Sequence, residues 1–121
     1  MENFDVVIVG SGPAGSSVAK ELTDKHLRVV IVEKKDLPRY KVCSGILAPT
    51  AQEFVKEHFG KIPEECFSKP KLIKGVRIFR PDGSVLFETP PLPENEKVLS
   101  VWRSSFDNWL AQKSGAIIKN P

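Results

Sequence analysis

The stretch from residue 4 to residue 33 constrains the fold of this chain more than any other. Residues 4–9 form a short apolar run rich in β-branched side chains, which predicts a strand buried on both faces. The segment GSGPAG follows at once, and residues 16–25 have the composition of a helix. A second apolar run at residues 27–32 predicts another buried strand, which ends in Glu33. A G-x-G-x-x-G segment between a strand and a helix, followed by an acid after the next strand, indicates a dinucleotide-binding unit.

The glycines of this segment have separate physical reasons. Gly10 permits the tight turn out of the strand, Gly12 lets a pyrophosphate approach the backbone, and Gly15 lets the helix pack closely on the strand. Pro13 and Ala14 then lie in the first helical turn, where unpaired N–H groups and the positive end of the helix dipole face the phosphates. We therefore expect the pyrophosphate of a dinucleotide at this turn.

Glu33 is placed to accept hydrogen bonds from the 2′- and 3′-hydroxyl groups of a ribose. A carboxylate at this position disfavours a 2′-phosphate, so the sequence favours FAD or NAD over NADP. The alternative interpretation is a glycine-rich turn that binds no ligand.

Composition excludes several other classes of protein. The chain has 121 residues and a formal net charge of +3, with acids and bases mixed along it, which does not favour a nucleic-acid partner. No apolar run approaches the roughly 20 residues that span a bilayer, and the N-terminus does not resemble a secretory signal. Cys43 and Cys66 form neither a metal-binding spacing nor a disulfide framework. We expect no metal site and a reducing, cytoplasmic location.

The polar segment at residues 34–46 is predicted to be a loop. Its cations could face the adenosine or pyrophosphate of a cofactor, or they could form an ordinary solvated surface; they are Lys34, Lys35, Arg39 and Lys41. Gly45 would let the backbone pass close to a flat ligand. Cys43 is either a reactive thiol or a buried, inert one, and Cys66 is interpreted as structural.

The rest of the chain predicts two further helices. Residues 50–59 have capping-box spacing between Thr50 and Glu53, and Gly60 suits the position after the helix. Ser104 and Asp107 also have the spacing of a helix cap. That second helix carries an apolar stripe and is closed by a small-residue pair; these residues are Phe106, Trp109 and Leu110, then Ser114 and Gly115.

The remaining strands complete the predicted α/β fold. Residues 76–79 and 84–88 flank a turn sequence and predict an antiparallel hairpin, whereas residues 89–93 form a proline-rich connector. Residues 98–102 predict a strand, and Arg103 at its end is a candidate to touch the cofactor. Residues 116–119 would give only a third parallel strand, where such sheets usually have five or six. We therefore expect residues 1–121 to be the N-terminal part of an FAD-binding domain that is truncated and lacks its substrate domain.

Three stretches together resemble the N-terminal portion of the geranylgeranyl reductase family, within the FAD proteins that include p-hydroxybenzoate hydroxylase. They are DVVIVGSGPAGSSVAKEL with IVEK, then LPRYKVCSGIL, then VWRSSFDNWLAQKSGA. The resemblance implies a Rossmann-like FAD-binding fold and reduction of isoprenoid double bonds by reduced FAD. The electron donor would be NAD(P)H or ferredoxin, and a lipid substrate would favour peripheral membrane contact.

The resemblance also assigns roles to residues. Gly10, Gly12 and Gly15 would hold the pyrophosphate, and Glu33 the adenosine ribose. Arg103 would contact the cofactor near its phosphates or ribityl chain. The flavin and substrate side would be formed by Lys41, Cys43, Ser44 and Gly45, although Ser44 stands where many members have glycine. A later Gly-Asp motif of the family is absent from this sequence.

The same N-terminal nucleotide-binding sequence is compatible with two other interpretations. One is a flavin monooxygenase or an electron-transferring flavoprotein reductase of the same superfamily. The other is a nucleotide-binding fragment without catalytic activity.

Overall fold

A parallel three-stranded sheet organises the N-terminal unit in the computed structural model, which describes residues 2–93 and 96–120. Its strands are β1 (Val6–Val9), β2 (Val29–Val32) and β8 (Ile117–Lys119), in the order β1-β2-β8. Val6 pairs with Val29, and Val30 pairs with Ile117, in parallel register. The predicted βαβ unit and the third parallel strand are therefore confirmed.

Helix α1 (Pro13–Thr23) covers one face of this sheet. Ala19 of the helix packs on Val29 and Ile31, and these three form a small buried core. On the opposite face, Val7 is 61% exposed and Val9 is 87% exposed. The prediction that β1 is buried on both faces is wrong, because no element among residues 2–93 and 96–120 covers that side of it.

A second sheet of the chain is antiparallel. It contains β3 (Ile46–Leu47), β4 (Phe67–Ile73) and β7 (Val98–Val101), in the order β3-β7-β4. Strand β7 confirms the strand predicted at residues 98–102, whereas β3 and β4 were not predicted. Strand β4 contains Pro70, and its pairing with β7 shifts register between Phe67 and Leu72. The strand sequence, FSKPKLI, also lacks the regular alternation of apolar and polar residues by which a strand is predicted.

The larger core joins this antiparallel sheet to two helices. Helix α2 (Pro49–Phe59) contributes Val55 and Phe59, and helix α3 (Arg103–Lys113) contributes Phe106 and Leu110. The apolar stripe predicted on the second of these helices is therefore confirmed as core. The hydroxyl of Thr23 donates a hydrogen bond of 2.6 Å to the carbonyl of Ser114, which ties the end of α1 to the end of α3.

Both predicted N-terminal caps are wrong. Helix α2 starts at Pro49 with Ala48 as its N-cap, so Thr50 already lies in the first turn; proline favours this first position because its φ is preset. Helix α3 starts at Arg103 with Trp102 as its N-cap, and neither helix has a side-chain capping bond. The predicted C-terminal signals are confirmed, since Gly60 and Gly115 have φ angles of +89° and +76° just past their helices.

The predicted hairpin is present as β5 (Arg77–Phe79) paired with β6 (Val85–Glu88). All seven of its strand residues are exposed, including Ile78, Leu86 and Phe87. The connector at residues 89–93 has no helix or strand, as predicted. In the described part of the chain, every helix is too short or too polar to cross a membrane.

Candidate functional site

The glycine-rich turn connects β1 to α1 and is hydrogen-bonded to the end of β2. Gly10 has a φ of +97°, in the left-handed region that favours glycine, and its N–H donates to the carbonyl of Val32 at 2.8 Å. Gly12 is the extended N-cap of α1, and Pro13 is the first helical residue. Ala14 follows in the same turn. The predicted segment therefore presents the start of a helix without a capping side chain.

Two glycines of the turn differ in what surrounds them. A Cβ at Gly15 would lie 2.0 Å from the carbonyl oxygen of Gly10, so only glycine fits there. A Cβ at Gly12 would meet nothing closer than the Nη2 atoms of Arg39 and Arg103, at 3.8 and 4.0 Å. Gly15 is therefore required for packing of α1 against the turn, whereas a side chain at Gly12 would meet two guanidinium groups at ordinary contact distance.

Glu33 follows β2 and is bound to the glycine-rich turn. Its Oε2 accepts hydrogen bonds from the backbone N–H of Ser11 at 2.9 Å and from the Ser11 hydroxyl at 2.7 Å. Arg39 Nε lies 3.2 Å from the same oxygen. Burial of Glu33 by itself raises the pKa of its carboxyl, but the two Ser11 hydrogen bonds and Arg39 outweigh it and hold the pKa at about 2. The carboxylate is therefore ionised at neutral pH.

Arg39 and Arg103 are joined through Asp107, which is fully buried. Arg103 donates from Nε to Oδ1 at 2.7 Å and from Nη2 to Oδ2 at 2.9 Å, a bidentate pair one helical turn apart. Arg39 Nη1 donates to the same Oδ2 at 3.1 Å. A network of Glu33, Arg39, Asp107 and Arg103 therefore borders the space beside Gly12, and hydrogen bonding to Asp107 raises the pKa of Arg103.

A cavity of about 420 Å³ extends from Gly10 and Glu33 along the loop that follows β2. Lys34 and Lys41, two of the predicted cofactor-binding cations, line it together with Tyr40. The structure therefore brings Lys34, Arg39 and Lys41 to the same side of the sheet as the glycine-rich turn. Whether each of them binds a cofactor stays a prediction.

Cys43, Ser44 and Gly45 lie farther along the same loop, where it meets α3. The Gly45 N–H donates to Cys43 Sγ at 3.4 Å; this hydrogen bond and the nearby Arg103 lower the pKa of the exposed Cys43 thiol. Gly45 is buried with a φ of +70°, and a Cβ there would lie 2.2 Å from the carbonyl oxygen of Val101. Gly45 is therefore needed for contact with β7, a packing role that exists whether or not a flat ligand lies nearby.

Cys66 lies elsewhere and has a different environment. It is buried in the larger core, and burial raises the pKa of its thiol to about 11. An inert, structural thiol is what the sequence predicted.

Sequence reasoning missed two residues of the network. Asp107 was interpreted as a helix cap, although its spacing of four residues from Arg103 is that of an ion pair on one helix face. Ser11 is given no role by the motif, yet it is fully buried and hydrogen-bonded to Glu33. Only the spacing of Asp107 offered a signal, because the Ser11 contact depends on how β2 lies beside the turn.

The residues present fit the adenosine diphosphate end of a dinucleotide. Gly12 has no side chain to shield the backbone at the start of α1, and the arginine Nη2 groups lie beside it. Two phosphates beside the backbone need such a combination of N–H donors and positive charge.

A family model described as pyridine nucleotide-disulphide oxidoreductase matches residues 4–97. The chain belongs to this family. A digeranylgeranylglycerophospholipid reductase from Methanocella arvoryzae is 31% identical over 121 residues, covering 96% of this chain and 29% of the relative. A second reductase of that name, from Methanothrix thermoacetophila, is 32% identical over 109 residues, covering 88% of this chain and 26% of the relative.

Solved structures of this oxidoreductase fold resemble the chain closely. A geranylgeranyl bacteriochlorophyll reductase-like protein from Thermoplasma acidophilum superposes with a TM-score of 0.72 at 27% identity, over 98% of this chain and 30% of that one. A variant of a flavin-dependent brominase has the same TM-score at 28% identity and the same coverage. The resemblance to the geranylgeranyl reductase family is confirmed at the level of sequence and fold. The chain spans less than a third of the length of the curated relatives described above.

Proposed function

We propose that this chain forms the FAD-binding part of an oxidoreductase that reduces the double bonds of an isoprenoid chain. The observation that carries the proposal is the similarity of nearly the whole chain to digeranylgeranylglycerophospholipid reductases, combined with a site that fits adenosine diphosphate. Bound reduced FAD would supply the hydride, and the protein would supply binding and orientation.

Each residue of the site has a role in this proposal. Gly12 and the start of α1 admit the pyrophosphate, and the Nη2 groups of Arg39 and Arg103 provide its positive partners. Glu33 Oε1 has no hydrogen bond from the described residues and is the atom that would accept the ribose hydroxyls. Gly10 and Gly15 shape the turn that holds these groups together.

The side of the site nearer α3 would receive the flavin and the substrate. Cys43 and Ser44 line a cavity of about 350 Å³ with Lys41 and Arg103, and an apolar cavity of about 310 Å³ adjoins it on the side of Ile46. A polar cavity next to an apolar one suits a substrate with a polar head and an isoprenoid tail. A lipid substrate of this kind would be reached by peripheral contact with a membrane.

The first test is flavin retention. We expect the purified chain, after addition of FAD and desalting, to keep a visible absorption band that is shifted from that of free FAD. A folded chain that releases all flavin would contradict the assignment of the binding site to these residues. A folded Gly12→Val variant, which blocks the approach beside the turn, is the matched control.

The second test concerns the reaction. The oxidoreductase that contains this chain as its FAD-binding part, with FAD bound, is supplied with NAD(P)H or with reduced ferredoxin and then with a digeranylgeranylglycerophospholipid, and the lipid is analysed by mass spectrometry. We expect each double bond to gain two hydrogen atoms with at least one of the two donors. Bound FAD without any hydrogenation would leave only the cofactor part of the proposal and would favour a nucleotide-binding fragment without catalysis.

The second candidate function is oxygen-dependent flavin chemistry, favoured by the structural similarity to a flavin-dependent brominase. An electron-transferring flavoprotein reductase, which would share the same N-terminal FAD-binding region, is a further form of this alternative. Oxygen consumption coupled to modification of an aromatic compound, with no change in the isoprenoid lipid, would support the oxygen-dependent function over double-bond reduction.

A further inference from the structure

We propose that Asp107 is a positioning residue, which fixes the guanidinium groups of Arg39 and Arg103 for a diphosphate ligand beside Gly12. The inference rests on the proposed function, because it assigns a device to the same binding site. It concerns a residue that would not itself touch the ligand and would act through the two arginines.

Both carboxylate oxygens of Asp107 accept hydrogen bonds from these two arginines. Its Oδ1 accepts from Arg103 Nε at 2.7 Å, and its Oδ2 accepts from Arg103 Nη2 at 2.9 Å and from Arg39 Nη1 at 3.1 Å. The carboxylate is completely buried, and the side chains of Arg39 and Arg103 are 11% and 18% exposed. One rigid acceptor on α3 therefore sets the orientation of both guanidinium planes.

The same contacts leave one end of Arg39 available. Its Nε lies against Glu33 and its Nη1 against Asp107, whereas its Nη2 has no hydrogen-bond partner among the described residues. That atom is 3.8 Å from where a Gly12 Cβ would lie, and Arg103 Nη2 is 4.0 Å from the same point. Two nitrogen groups, one from the loop after β2 and one from the start of α3, thus lie within 4.0 Å of the same point beside Gly12.

Charge balance explains why an acid is needed there. Two guanidinium groups packed together would repel each other, and burying charge without a partner is strongly unfavourable. Glu33 and Asp107 neutralise the pair, while the Nη2 groups of both arginines lie beside Gly12. The arginines can therefore be held in place before a diphosphate binds, which lowers the entropy lost on binding.

A purely structural role for Asp107 would make a different prediction. Loss of an ion pair that only stabilises the fold would lower the affinity for every ligand of the site, or for none. Loss of the proposed positioning by Asp107 would lower the affinity for ligands that carry a diphosphate and leave the affinity for ligands without one unchanged. ADP and adenosine form the matched pair of probes, since they differ only in the diphosphate.

The experiment measures the affinities of the purified chain for ADP and adenosine by calorimetry, for the wild type and Asp107→Asn. We expect ADP affinity to fall at least about tenfold, because hydrogen bonds that involve charged groups are lost, while adenosine affinity stays within about twofold. Asp24→Asn, which removes an exposed carboxylate paired with Lys20, is the control and should leave both affinities unchanged. Equal losses for ADP and adenosine, or unchanged ADP affinity, would overturn the inference.

Arg39→Lys provides a second test that stays valid if Asp107→Asn does not fold. A lysine ammonium keeps the charge, but it cannot contact Glu33 and Asp107 and still place a separate nitrogen beside Gly12. We again expect at least about a tenfold loss of ADP affinity with adenosine unaffected. A lysine variant that binds ADP as the wild type does would refute the positioning of Arg39.

The two proposals fail in distinguishable ways. A folded wild-type chain that binds neither FAD nor ADP would contradict the proposed function, and the inference would fall with it. Wild-type binding of both ligands, together with normal ADP binding by Asp107→Asn, would contradict only the inference.

Discussion

The glycine-rich turn and the β5–β6 hairpin differ in how their side chains are used. Beside the turn, Glu33 and Asp107 are buried and paired with residues from distant parts of the sequence, as in the contacts of Glu33 with Ser11 and of Asp107 with Arg39. In the hairpin, Phe79, Leu86 and Phe87 are all more than half exposed. Two carboxylates of the candidate site are therefore buried, whereas large apolar side chains of the hairpin stay exposed.

The largest effect expected from this difference is loss of folding at Gly15. In Gly15→Val, the Cβ would lie 2.0 Å from the Gly10 carbonyl oxygen, so α1 cannot keep its place against the turn. We expect a loss of more than about 3 kcal/mol in the free energy of unfolding, measured by urea denaturation followed by circular dichroism. Gly83→Val, in the exposed hairpin turn where a Cβ meets nothing within 4 Å but φ is +84°, is the comparison and should cost less. Equal losses at the two positions would contradict the distinction between these regions.

Gly12→Val should separate folding from binding. The nearest atoms to its Cβ are arginine nitrogens at ordinary contact distance, so we expect the free energy of unfolding to change by less than about 1 kcal/mol. FAD affinity should fall at least about a hundredfold, because the branched side chain occupies the approach to the backbone. Fluorescence titration with FAD measures the affinity. Retained affinity in a folded variant would show that the phosphates do not lie beside Gly12.

The parts of the fold that the sequence predicts are those governed by local chemistry. The strand–turn–helix–strand unit, the hairpin and the helix ends at Gly60 and Gly115 depend on nearby residues, and the structure confirms them. Strands β3 and β4 could not be predicted, because they are strands only through pairing with β7. The helix caps assigned to Thr50 and Ser104 were wrong. Helix α2 begins one residue earlier, at Pro49, whose fixed φ suits the first helical position, and helix α3 begins at Arg103, which pairs with the buried Asp107.

The candidate site divides along the same line. The positions of Gly10, Gly12, Gly15 and Glu33 follow from their motif. The junction of Arg39 with Asp107 joins two segments 68 residues apart and depends on how α3 packs against the loop after β2. Long-range ion pairs of this kind leave little trace in a single sequence.

The acid stability of the chain should depend on Glu33. Its pKa lies at about 2 in the folded chain, below the ordinary value of 4.5. The unfolded chain therefore binds more protons between these values, so the stabilisation is fully present above about pH 4.5 and is lost as the pH falls towards 2. We expect Glu33→Gln to be less stable than the wild type at pH 7 and the gap between their melting temperatures to narrow from pH 4.5 downwards. A gap that stays constant down to pH 3 would contradict this assignment.

The smallest effect is expected in the hairpin. Leu86→Ser removes an exposed side chain, so the free energy of unfolding should change by less than about 0.5 kcal/mol. Ile31→Ala, in the buried core under α1, should cost about 3 kcal/mol in the same urea measurement. FAD affinity should be unchanged by Leu86→Ser. If Leu86→Ser lowered the free energy of unfolding as much as Ile31→Ala does, the hairpin and the buried core would contribute equally to stability, against this prediction.

The double use of Glu33 restricts how the nucleotide preference of such a chain can evolve. A switch to a 2′-phosphate would ordinarily begin with loss of the acid after β2. Here the same carboxylate holds the Ser11 backbone and hydroxyl and neutralises Arg39. Its replacement would disturb the glycine-rich turn at the same time as the proposed ribose contact. Divergence towards a phosphorylated cofactor therefore requires coordinated changes at Ser11 and Arg39, and single-step intermediates would bind neither dinucleotide well.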